Sequence, residues 1–204
     1  MKYNMEFNRE SFEIGKDWFF ESKICLYRSF KIRENPYDIH GAIEALQHCF
    51  ELSCKSLYIM LDLPYPRDHD AAKNLDKVRI KLFQAIPETK QDQWPPLESW
   101  IKEHSKYLKK IHETSIYGDE EKGILASKLF SEKELGDLTQ DVSALWSFAY
   151  HTLAVLGIQN SALTPEEYAD YKLYLEFSKN TKKMDTYQKL KYFKKIFDPK
   201  KLRY

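Results

Sequence analysis

Apolar side chains recur along this chain at steps of three and four, the period at which one face of an α-helix repeats. The densest stretch runs from Asp38 to Leu63. In it Ile39, Ile43, Leu46, Phe50, Leu57 and Leu61 form one row, and Ala42, Ala45, Cys49, Leu52 and Met60 form a second beside it. Two adjacent rows are too wide a stripe for a surface helix, so this helix is expected at the centre of a bundle. Asp38 caps its start in this reading, and Pro64 and Pro66 end it. At 1.5 Å per residue such a helix would span about 39 Å.

The same period predicts the neighbours. Residues 1–10 are polar and expected to be loose. Ser11 would cap a first helix carrying Phe12, Ile14, Trp18, Phe19, Phe20, Ile24, Cys25, Tyr27 and Phe30. The short Arg33–Tyr37 connection then implies an αα-hairpin with the central helix. A third helix is expected from Asp70, carrying Leu75, Val78, Ile80, Leu82, Phe83 and Ile86, followed by a loop over Pro87–Pro96. A fourth carries Leu97, Trp100, Ile101, Tyr107, Leu108 and Ile111 and stops at Tyr117-Gly118. Ser131 and Glu134 form a capping box opening a fifth helix that Gly157 closes. Thr164 and Glu167 repeat the device, with Pro165 at the first helical position. No stretch alternates with period two. The fold class is therefore all-α, an antiparallel bundle of about five helices over 11–157 with a helical extension over 160–204.

Charge adds one asymmetry. The chain is +1 overall, yet residues 178–204 hold ten Lys/Arg and two Asp, net +8, which leaves −7 for the first 177. Lys191, Lys194 and Lys195 lie there among Tyr187, Tyr192, Phe193 and Phe197, and are candidates for contact with nucleic-acid phosphates. The plainer reading is an amphipathic helix with solvated lysines. Cys25, Cys49 and Cys54 form no CxxC pair and suit free thiols in a reducing compartment. With no membrane-length apolar run and no signal peptide in MKYNMEFNRE, the expected location is the cytoplasm.

On the central helix Glu44, His48, Glu51 and Lys55 follow steps of four, three and four and so share one face. Charges on a helix apolar nearly everywhere else must meet water, a partner or a ligand. Glu51 and Lys55 also suit an ordinary i, i+4 ion pair.

The stretch AIEALQHCFELSCKSLYIMLDL, with Glu51 and Lys55 four apart, resembles the signature helix of HEPN domains (higher eukaryotes and prokaryotes nucleotide-binding). His69-Asp70 after the loop, the Tyr117 stop and the helix from Ser131 to Leu156 follow the family's order, so the likeness covers roughly 11–157. It implies a dimeric helical bundle, often paired with a nucleotidyltransferase in a toxin–antitoxin context, with no cofactor. It also implies a groove formed by His48, Glu51, Lys55, His69, Asp70 and Tyr117 that binds nucleotide or RNA. Many relatives are metal-independent ribonucleases using Arg, four to six residues, then His. His151 lies on the appropriate helix, but positions 144–146 are Ala, Leu and Trp, so the Arg is missing. Arg33 and His40 satisfy the spacing elsewhere in the chain. The expectation is therefore a binding module, non-catalytic or weakly catalytic, with a ribonuclease as alternative. A further alternative is a phosphohydrolase of HD type, in which His40, His69-Asp70 and Asp137 or Asp141 would hold a water-activating metal. Asp70 has a sufficient structural role as a helix cap, and no metal site is assigned.

Overall fold

The chain is described by a computed structural model covering residues 6–32, 38–67, 70–117, 122 and 128–180; of 89, 90 and 109–117 it describes the backbone alone. Every regular element among these residues is helical: α1 (Arg9–Ile32), α2 (Ile39–Met60), α3 (Leu75–Ala85), the single turn α4 (Glu88–Gln91), α5 (Trp94–Tyr117), α6 (Glu132–Gln159) and α7 (Pro165–Asn180). The fold is an all-α bundle. Two compact units divide the chain, one through Leu156 and one from Gly157.

α2 is the central helix, with thirteen of its 22 residues buried. Its apolar rows leave only the narrow strip through Glu44, His48, Glu51 and Lys55 polar, so it must be covered on several flanks. α1 runs antiparallel beside it: Ser11 reaches Asp62, Gly15 lies on Met60, and Trp18 meets Lys55. α5 covers another flank, where the edge of Phe50 meets Trp100 with ring centroids 5.5 Å apart. α6 closes the core through Trp146 and Tyr150, which pack on Phe19 of α1 at 5.1 Å each, and through Phe148 on Trp94 of α5.

Asp38 caps α2, its carboxylate accepting from Gly41 N at 3.2 Å. Both capping boxes form as well. Ser131 and Glu134 exchange bonds of 2.8 and 3.2 Å at the start of α6, and Thr164 and Glu167 do the same at α7. Other boundaries differ from the sequence expectation. α1 starts at Arg9 because Asn8 is the cap, accepting from Ser11 N at 3.1 Å. Ser11 instead donates to Asp62 at 2.6 Å, and Asn8 Nδ2 donates to the same oxygen at 3.0 Å. α2 ends before its prolines. Asp62 turns left-handed at φ 56°, and the amides of Asp62 and Leu63 bond back to Ile59 and Tyr58 at 2.9 Å each. This double bond-back satisfies the last carbonyls of a helix. α6 likewise passes through Gly157 to Gln159, and the left-handed residue is Ser161 at φ 52°.

The Pro87–Pro96 stretch is not simply a loop, since α5 opens at Trp94 and takes both prolines into its first turn. Amides there have no helical partner to lose. Buried Trp94 donates its indole N–H to Glu98 at 2.8 Å. Glu98, itself buried, also holds Lys102 at 2.6 Å and Arg79 of α3 at 3.6 Å.

The apolar faces are cut by exceptions. Ile14, Ile80 and Tyr107 are exposed, while Lys16, Ser22, Lys23 and Ser29 lie on the buried side of α1. Ser22 and Ser29 hydroxyls donate to carbonyls three residues back at 2.6 and 2.7 Å, which lets small polar side chains sit inside. All three cysteines are buried free thiols. Among the described residues no helix is long and apolar enough to cross a membrane.

In the second unit, Tyr171 and Tyr174 are the buried residues of α7 and stack at 6.3 Å, with Phe177 beyond Tyr174 at 6.5 Å. Burial, with Tyr174 adding to it, pushes the Tyr171 phenol up to about 12. Lys172 lies over Tyr168, 4.5 Å from its centroid.

Candidate functional site

The polar strip of α2 survives folding. Glu44, His48, Glu51 and Lys55 are all half-buried on a helix whose other faces are packed. The Lys55 ammonium stands 3.3 Å from the ring centroid of half-buried Trp18, on α1. A cation over an indole face is attracted by the ring quadrupole, by about 0.5–2 kcal/mol depending on desolvation. Trp18 thus fixes the lysine head. The helical period had assigned this tryptophan to the core stripe of α1; its partial exposure places one ring face beside the strip.

A second aromatic joins from the segment after α2. Pro64 and Pro66 bracket Tyr65, whose ring meets Tyr58 edge-on at 5.4 Å. Burial drives the Tyr65 phenol far above its ordinary pKa, and the neighbouring Cys54, Glu51, Tyr58 and Asp70 add to the rise, Glu51 and Asp70 through their carboxylate charge. The phenol therefore stays protonated, within the fields of both Glu51 and Asp70.

Asp70 does not open α3. Its carboxylate accepts from Ala72 N at 3.1 Å and from Ser105 Oγ of α5 at 2.8 Å, while its carbonyl takes Lys73 N at 3.1 Å. The carboxylate closes a turn ahead of the helix and pins it to α5. α3 starts only at Leu75, after Asn74 in the left-handed region at φ 61°. Tyr58 holds the same turn, its hydroxyl donating to Ala71 O at 2.9 Å and also meeting Lys73 O.

Of the predicted groove, then, His48, Glu51 and Lys55 lie in one row, and Asp70 shares with Glu51 an influence on the Tyr65 phenol. His69 lies outside the described residues, and Tyr117 is the last residue of α5, its side chain not described.

The other candidates are placed separately. His40 Nε2 is 3.4 Å from Asp38 Oδ1 at the start of α2, and its buried Nδ1 has no hydrogen-bond partner among the described residues. Arg33, its proposed ribonuclease partner, lies outside the described residues, as do Lys191, Lys194 and Lys195. His151 is half-buried on α6. The phosphohydrolase set falls into separate settings: His40 beside Asp38, Asp70 on Ser105, and Asp141 under the influence of His104 and Trp100. Among the described residues no group of three or more His, Cys, Asp or Glu could hold a metal ion.

One cluster was not legible in the sequence. His104 is half-buried and stacks on Trp100 at 5.2 Å, its Nδ1 lying 3.0 Å from the Trp100 carbonyl. Asp141 faces them from α6. Burial lifts its carboxyl pKa, His104 and the Trp100 indole lower it, and Asp137 raises it. The Trp100 N–H nonetheless completes no hydrogen bond of ordinary geometry. No spacing rule couples residues 100, 104 and 141; only the pairing of α5 with α6 does.

No family model matches the chain, and comparisons with curated proteins and with solved structures found no match either.

Proposed function

We propose that the bundle is a HEPN-like binding module that engages RNA or nucleotide through the α2 strip, non-catalytic or weakly catalytic, and works as a dimer beside a nucleotidyltransferase partner. The observation that carries this reading is the half-buried row His48, Glu51 and Lys55 on an otherwise packed helix, with Lys55 held on Trp18. The order of the signature helix, the Pro loop with His69-Asp70, the Tyr117 stop and the last helix supports the family resemblance. The sequence also lacks an Arg at the required distance before His151, which favours binding over cleavage.

The test is incubation of the purified chain with a labelled single-stranded RNA of mixed sequence in chelator. The RNA should be retained and remain intact, and Lys55→Ala should weaken retention. Cleavage that disappears in His40→Ala would replace this reading with the ribonuclease. Stoichiometric zinc or manganese lost on His69→Ala would replace it with the phosphohydrolase.

A further inference from the structure

Trp18 and Lys55 occupy one another. An indole face is a surface on which a nucleobase stacks, and an ammonium is a point charge that takes a phosphate. Here the two lie 3.3 Å apart from centroid to nitrogen, each half-buried and on a different helix. In this arrangement each blocks the other's ligand-facing surface. The lysine stem has four rotatable carbons, so its head can leave the ring without any shift of α2.

The charge of the strip narrows the ligand. Glu44, Glu51 and Lys55 sum to −1 with His48 neutral. The strip's one ammonium can neutralise one phosphate; a nucleoside triphosphate would press its remaining charges on the two carboxylates, whereas an extended strand carries its next phosphates away from them. A single-stranded RNA segment brings one charge per phosphate and a base next to it. The carboxylates can accept from exocyclic amines, the donors of unpaired base edges.

We propose that the Trp18–Lys55 pair is a latch for single-stranded RNA. In the free protein the ammonium rests on the indole. On binding it transfers to a backbone phosphate, and the exposed ring takes the neighbouring base. Trp18 is thus a stacking residue of the site. The proposal rests on the RNA-binding reading above and adds to it the occupant and the order of contacts.

The test uses the full chain and a short unstructured RNA at low salt. Trp18→Leu should weaken binding by roughly 5- to 150-fold, the range for loss of one stacked base. Lys55→Ala should weaken it too and flatten the log–log salt slope by about 0.7, one single-strand phosphate. A second measurement needs no change at Trp18. In Trp100→Phe the indoles besides Trp18 are Trp94 and Trp146, both fully buried, so quenching of tryptophan emission on saturation with RNA reports the uncovered Trp18 ring. Quenching supports the latch. RNA binding that is lost in Lys55→Ala yet unchanged in Trp18→Leu, or saturation without quenching, would overturn the latch and leave the binding module standing. ATP bound as tightly as the RNA would overturn the choice of ligand. No RNA binding at all would sink both readings.

Discussion

Gly15 of α1 lies directly on the backbone of Met60 at the end of α2. A Cβ built on Gly15 would run into the Met60 side chain and stand 2.7 Å from the Met60 amide nitrogen, closer than real Cβ contacts allow, and 3.1 Å from its Cα, tighter than nearly all of them. The absent side chain is what lets the first two helices close on each other at this end. Two bonds from Asn8 and Ser11 to Asp62 finish the same corner.

Gly15→Ala therefore sets two effects against each other. Alanine is favoured over glycine inside a helix by about 1 kcal/mol. Overpacking a tight site costs about 1–3 kcal/mol, and here the obstacle is backbone rather than a side chain that could swing away. The expected result is net destabilisation of about 1–2 kcal/mol, read as a lower denaturant midpoint at unchanged m. An unchanged or higher midpoint would mean that the helices separate at no cost.

Much of this architecture was legible because its determinants are local. The apolar rows of α2, the carboxylate of Asp38 and the two Ser/Thr–Glu boxes each act within one or two turns. The misses share a different cause. Asn8 and Ser11 are equally good caps by type, and tertiary bonding to Asp62 decides between them. Asp62 and Ser161 take left-handed conformations usually reserved for glycine, so the helix ends moved away from the Pro64 and Gly157 signals. At the candidate site the row on α2 was legible from spacing alone. Trp18 and Tyr65 were not, since their roles depend on the rotation of α1 against α2 and on how the chain folds back after Pro64.

Glu98 offers a contrast between a buried and an exposed partner in one cluster. Glu98 is 4% exposed, and its carboxylate takes the indole N–H of fully buried Trp94. Glu98→Ala strands that donor and leaves α5 without its tie to Arg79 on α3. The expected loss is about 2–4 kcal/mol. The Lys102 side chain, by comparison, is 54% exposed. Lys102→Ala should cost less than about 1 kcal/mol, and less still at high salt. Equal losses in thermal melts of the two variants would show that the cluster is held by the ion pair and not by the indole.

Asp141 gives a pH dependence of defined sign. Its folded-state carboxyl pKa is raised, chiefly by burial, with His104 and Trp100 pulling it back and Asp137 pushing it up. Well below the unfolded pKa both states carry the proton and folding suffers no penalty. As pH rises past that value the unfolded chain ionises first, so stability is lost until the folded carboxyl has ionised too. At neutral pH the wild type thus carries the whole cost. Asp141→Asn removes the ionisation while keeping the shape, so its melting temperature should exceed that of the wild type at pH 7. The two should converge as pH falls through the acid range. His104→Phe should act oppositely and lower the melting temperature, because the group that lowers the Asp141 pKa is gone. A Asp141→Asn protein less stable than wild type at pH 7 would show that the carboxylate makes a contact worth more than its burial costs. The seam between α5 and α6 would then need its charge.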